Sequence, residues 1–256
     1  MSNLIPIGVK WVKRGPIPND GTMGTVLSKI GPTYKGSVSF VEDAASAFNV
    51  MVEEQDDPIF QFFTKGAKKL AFSLPDWTPE VLQIVKGGEV VNGVWQEPDT
   101  VPVIEESYAV LTQTDVLMEF PRMGINAVLN GKLQKDAAGL TDVFGTPLMP
   151  AGAGVKPVMI SKYLPPVLNA GNAQNITVDH ANLLAVATAY RGDISTIAWT
   201  VDTKPAGAVV AFGTPAALGT TVTGLTIDGL YKLKVTVTDE NGFTSSALVS
   251  VTVALA

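Results

Sequence analysis

Alternation of apolar and polar residues is densest near the end of the chain. In "YKLKVTV", Tyr231, Leu233, Val235 and Val237 share one face, while Lys232, Lys234, Thr236 and Thr238 share the other. That period of two predicts a strand with one buried face. "DENG" at Asp239 to Gly242 reads as the turn, with Asn-Gly offering the positive φ of a tight hairpin, and "SALVSVTV" as the returning strand. Upstream, "NITVD", "LLAVATAY", "STIAWTV", "AVVAFGT" and "GTTVTGL" bring the expected strands to seven, separated by turn signals at the spacing of a small all-β sandwich. Trp199 is expected to face inward on a middle strand. Tyr231 opens the penultimate strand, where a corner tyrosine bonds back to the backbone.

The first 160 residues are less regular. Val38 and Phe40 mark one strand, and Phe48, Val50 and Val52 alternate with Asn49, Met51 and Glu53 in a second. Asp57 then reads as the cap of a helix led by Pro58, with Ile59, Phe60, Phe62 and Phe63 as its apolar stripe and Gly66 as its stop. The device recurs with Thr78 as cap, Pro79 leading, Val81, Leu82 and Val85 packing, and Gly87 and Gly88 ending the turn. Strands are expected again in "VVNGVWQE", "ESYAVLTQ", "VLMEF" and "INAVLNGKL". The segment from Gly15 to Gly36, with its glycines and prolines, is too long for an idle connection and is a candidate interaction loop. "MISKYLPP" serves as a linker, dividing the chain into domains 1–161 and 162–256.

Composition sharpens this picture. With 46% hydrophobic and only 16% charged residues, the chain is folded and β-rich, and its charge-poor surface favours contact with copies of itself or a partner. The net charge of −6 shows no basic excess for gripping nucleic-acid phosphates. The absence of cysteine excludes disulfides and thiolate chemistry. "MSNLIPIGVKWVKRGPIP" has the wrong order of charge and apolar residues for a secretory signal, and no apolar run reaches the ~20 residues of a membrane helix. The expectation is synthesis and folding in the cytosol and no membrane insertion.

The segments "PPVLNAGNAQNITV", "ISTIAWTVDTKPAGAVVAF" and "TTVTGLTIDGLYKLKVTVTDENGFTSSALVSVTV" resemble a PKD-type domain, an immunoglobulin-like module of bacterial surface proteins, over about the last 92 residues. "RGDIST" stands where that family has an Asp-containing turn. A β-rich domain with "DDPIFQFF" and "TPEVLQIVKGGEV" set between strands, followed by such a module, resembles the tail tube proteins of long-tailed bacteriophages. The resemblance implies a mainly β fold. The N-terminal part would be a tail-tube-like β-sandwich or barrel with one or two short helices, followed by a seven-stranded immunoglobulin-like sandwich. It further implies hexameric rings stacked into a tube in the virion tail, DNA passing non-specifically through the lumen, and contacts with tape measure, terminator and baseplate proteins. The outer domain would be free to touch host-surface glycans. Other readings are a bacterial surface or adhesion protein with a glycan- or partner-binding N-terminal domain, and a capsid decoration or tail terminator protein.

Nothing in the sequence points to an enzyme or a cofactor. His180, the sole histidine, reads as a surface turn residue, and no nucleophile elbow occurs. "NDGTMGT" and "AGAGVK" lack the Lys-Ser/Thr ending of a phosphate loop. "RGD" at Arg191 to Asp193 is best explained as a polar turn, and "KGAKK" at Lys65 to Lys69 as cations at a helix C-terminus. The acidic clusters "EEQDD" and "EES" admit three roles: a helix-entry cluster, a divalent-cation or acid/base site, or a lumen lining that repels DNA phosphates. The candidate lumen residues are Glu53, Glu54, Glu105 and Glu106.

Overall fold

The computed structural model describes residues 4–131, 135 and 138–255. The chain is mainly β, with a single helix among the described residues, and divides into two compact units, Met1–Lys162 and Tyr163–Ala256.

The first unit holds β1 (Trp11–Gly15), β2 (Ser28–Lys29), β3 (Ser39–Glu42), β4 (Ser46–Val52), β5 (Gln55–Thr64), β6 (Lys68–Leu74), α1 (Pro79–Lys86), β7 (Glu89–Val91), β8 (Val94–Gln96), β9 (Ile104–Leu111), β10 (Val116–Asn130), β11 (Leu140–Pro147) and β12 (Met159–Lys162). One eight-stranded sheet runs β2-β1-β9-β10-β11-β6-β3, with β12 also paired to β10. Among the described residues these pairings run from edge to edge and close no ring.

The expected "VLMEF" and "INAVLNGKL" strands are one long element, β10, kinked by an irregularity between Phe120 and Met123 where Pro121 interrupts the ladder. Lys132 and Leu133 of that expectation lie outside the described residues. Period two sends Leu70, Phe72 and Leu74 of β6, Tyr108 and Val110 of β9, and Val143 of β11 into one core, which Val85 of α1 joins. The helix begins as expected at Pro79 and stops at Gly87, whose φ is 72°. Thr78 contributes no side-chain cap; its N–H donates instead to Asp76 Oδ1 at 2.9 Å. Asn92 and Gly93 both take positive φ, the requirement of the two-residue turn that joins β7 to β8.

The Gly15–Gly36 segment is folded in part onto its own sheet. Ile30 is buried in the core, and the Gly24 N–H donates to Ser107 Oγ at 3.0 Å. A Cβ at Gly15 would stand 2.2 Å from the Val26 carbonyl oxygen, so the close approach needs glycine.

The helix expected over "DDPIFQFF" does not form; these residues lie in β5, paired antiparallel to β4. The stripe Ile59, Phe60, Phe62, Phe63 fits helical spacing, but the same residues are aromatic and β-favouring, and the partner strand decides. Pro58 is tolerated because it falls where the register shifts between the Val50 and Val52 pairings.

The second unit holds β13 (Val167–Asn169), β14 (Gln174–Ile176), β15 (His180–Leu184), β16 (Val186–Thr188), β17 (Ile194–Thr203), β18 (Ala211–Phe212), β19 (Gly219–Thr223), β20 (Gly229–Asp239) and β21 (Thr244–Val253). Sheets β14-β21-β20-β17 and β15-β19-β18 enclose one core, and β13 pairs β16 beside them. "LLAVATAY" is thus split: its first part pairs β19, and its second, after Ala185, pairs β13. Trp199 is buried with its indole N–H donating to the Ala217 carbonyl at 2.9 Å. The Tyr231 hydroxyl donates to the Ile227 carbonyl at 2.9 Å, the corner bond expected from sequence. At the turn only Gly242 has positive φ. The buried Asp239 carboxylate carries the rest of the loop, accepting N–H bonds from Asn241 and Phe243, each at 2.9 Å.

Candidate assembly interface

β3 and β6 form one edge of the large sheet, and both continue outward. Past Glu42↔Lys68 the ladder is interrupted, Asp43 N–H bonding the Ala67 carbonyl at 2.9 Å, and pairing resumes at Ser46↔Thr64 as the two-stranded β4–β5 ribbon. The crossing is tight. A Cβ at Gly66 would lie 1.8 Å from the Asp43 carbonyl oxygen. From that bend the seven residues of β4 reach about 23 Å at strand rise.

Every residue of β5 is exposed. Cross-strand partners Phe48↔Phe62 and Val50↔Phe60 line one face; Ala47↔Phe63 and Asn49↔Gln61, with Ile59, line the other. Phe48, Phe60, Phe62 and Phe63 are 58% to 68% exposed, and the Phe60 and Phe62 rings stack at 6.1 Å. A two-stranded ribbon is marginal in water, and one that exposes phenylalanine on both faces asks for cover that the described residues of its own chain do not supply.

The four candidate acidic residues fall in two places. Glu53 and Glu54 form the turn at the arm tip, exposed and without an ion-pair partner among the described residues, so the helix-entry explanation for this cluster does not hold. Lys65 to Lys69 likewise flank the arm's base rather than a helix end: Lys68 bridges Glu42 at 3.3 Å, and Lys69 Nζ sits 5.6 Å from the Phe144 ring centroid. Glu105 and Glu106 are consecutive in β9 and so point to opposite faces. Glu105 accepts from Arg122 Nε and Nη2 at 2.7 and 3.1 Å, a two-pronged pair that raises the arginine above its ordinary value, and Glu106 pairs with Arg14. Their charge is thereby offset locally. Among the described residues no group of three or more potential metal ligands is gathered.

Burial pushes the Glu106 carboxyl above its ordinary value of 4.5, with the Arg14 charge drawing it partly back. The buried Tyr108 hydroxyl is raised by the same burial and then by the Glu106 charge. The folded chain therefore holds the Glu106 proton more tightly than the unfolded chain. Its contribution to stability is fully present below pH 4.5 and is lost as pH rises through the folded pKa. A carbon-13 NMR titration of the side-chain carboxyls is expected to show Glu106 inflecting above 4.5; an inflection at or below 4.5 contradicts the assignment.

In the second unit, the His180 ring lies exposed with Nδ1 3.0 Å from Asp179 Oδ1, and this hydrogen bond lowers the Asp179 pKa. Arg191 to Asp193 form a turn, with Gly192 at φ 77° and the Arg191 carbonyl 2.8 Å from the Tyr163 hydroxyl. Beside β13 and β15 lies an open hollow of about 380 Å³ lined by Asn169, Asn172, Gln174, Asn182, Leu184 and Val186. Gln174 Nε2 donates to the Asn182 carbonyl at 2.7 Å, and Asn182 Oδ1 accepts from Thr221 Oγ1 at 2.9 Å, which fixes both carboxamides. This neutral surface can exchange hydrogen bonds with hydroxyl-bearing molecules. The sequence reading did not find it, because the strands that build it come from separate parts of the unit.

Two packed sheets of four and three strands, an inward tryptophan and a corner tyrosine define an immunoglobulin-like sandwich. Residues 170–253 match the family model described as K319L-like, PKD domain. Similar solved structures include the PKD domain from KIAA 1837 protein, at 27% identity and a TM-score of 0.30 over 34% of this chain and 85% of that one. Another is a PKD domain of human KIAA0319, at 24% identity and a TM-score of 0.30 over 36% and 82% of the respective chains. No curated protein matches the chain.

Proposed function

We propose that the chain is a structural subunit that polymerises with copies of itself, forming the tube of a phage tail from stacked hexameric rings through which DNA passes, with the PKD-type domain facing outward. The observation that carries this reading is the β4–β5 arm, which exposes Phe48, Phe60, Phe62 and Phe63 across both of its faces. Covering such a ribbon in an assembly turns a liability of the monomer into an interface. The tube itself and its ring symmetry come from the family resemblance in the first 160 residues together with the appended immunoglobulin-like domain. In a tube, Glu53 and Glu54 are the candidate carboxylates with charge to spare for a lumen or a neighbouring ring, since Glu105 and Glu106 are already paired.

The test is sedimentation velocity and negative-stain microscopy of the full chain over rising concentration. Rings or tubes with a central channel are expected. A monomer at every concentration overturns the reading.

A further inference from the structure

The arm is polar along its length as well as apolar across its width. Its tip carries Glu53, Glu54, Asp56 and Asp57, while its root carries Lys65, Lys68 and Lys69 against Glu42 and Asp43. Between them, residues 44–52 and 58–64 bear no charge at all. All four tip carboxylates are exposed, as are Lys65 and Lys69. We infer that arms of successive copies dock head to tail, the acidic tip of one on the lysine root of the next, with the uncharged aromatic stretch covered between them. This rests on the polymerising reading above and names its contact.

Charge decides the direction. Two arms laid side by side in register would set four carboxylates against four, whereas a tip-to-root stagger sets them against a root where Lys65, Lys68 and Lys69 outnumber Glu42 and Asp43. Exposed ion pairs are individually weak and screened over about 8 Å at physiological salt, so they fix register and orientation while the phenylalanines supply the attraction. With the arms parallel and staggered the contact is heterologous, closing into a ring or leaving a free tip and a free root at the ends of an open chain, whereas an antiparallel pair of arms would satisfy both ends in a closed dimer. The parallel contact repeats instead of stopping at a pair.

The experiment uses two charge-reversed full-length proteins, Glu53→Lys/Glu54→Lys/Asp56→Lys/Asp57→Lys at the tip and Lys65→Glu/Lys69→Glu at the root. Both sets lie on exposed side chains, and circular dichroism melts check that each variant remains folded. Sedimentation velocity at low salt is expected to show each variant alone assembling only at about tenfold or higher concentration than the parent protein. An equal mixture is expected to regain assembly, because each reversed tip then meets a reversed root and each native tip a native root. Variants that assemble like the parent, a mixture no better than either component, or a mixture that stops at dimers overturn the inference while leaving polymerisation intact. A parent protein that is monomeric throughout overturns both.

Discussion

Replacing the arm's aromatic residues, as in Phe48→Ser/Phe60→Ser/Phe62→Ser/Phe63→Ser, is expected to hold the protein as a monomer where the parent polymerises, with the melting temperature of the first unit unchanged. Burying one such ring is worth about 1.5–3 kcal/mol, so an interface that loses four loses several orders of magnitude in affinity even after the ordering costs of association are discounted. Removing rings from a folded core would instead cost stability. Here they belong to no buried cluster of the unit, and β4 and β5 pair only with each other, so the folded monomer gives up little. Size-exclusion chromatography with light scattering reads the first effect, and calorimetry reads the second. Persistent polymers would show that the arm is not the contact; a large drop in melting temperature would show that the rings are covered by their own chain.

What the sequence disclosed follows from how each element is stabilised. The β20–β21 hairpin, Tyr231 and Trp199 were legible because one buried face imposes a strict period of two, and because the corner tyrosine bonds a residue only four positions away. Helix α1 was legible because Pro79 and the two glycines bound it locally. The arm was misread because the usual expectation of one buried face fails there: with large apolar residues on both faces, Ile59, Phe60, Phe62 and Phe63 match a helical stripe as well as a strand. β6 was a different omission. Leu70, Phe72 and Leu74 carry the alternation plainly, but the expected helix upstream and the lysines beside Gly66 drew the segment into a helix ending. The pairing of Arg14 with Glu106 spans 92 positions, and that of Arg122 with Glu105 depends on the kink in β10; neither leaves a local signature.

Trp199→Ala is expected to unfold the second unit far below its normal transition while sparing the first. The indole is 3% exposed, stacks on Phe212 at 6.3 Å and donates to the Ala217 carbonyl at 2.9 Å. Truncation leaves a cavity in a small core at about 3–5 kcal/mol. It also leaves the Ala217 carbonyl without its donor, at about 1–3 kcal/mol if water cannot enter. For a domain of this size each kcal/mol lowers the midpoint by about 4–8 °C, so a shift of at least 15 °C is expected. The first unit has its own buried cluster, with no member shared with that of the second. Calorimetry is therefore expected to resolve two transitions, only one of which moves. A single transition that moves as a whole would mean that the two units melt as one cooperative body, and Trp199→Phe, which keeps a ring but loses the N–H donor, separates the cavity cost from that of the hydrogen bond.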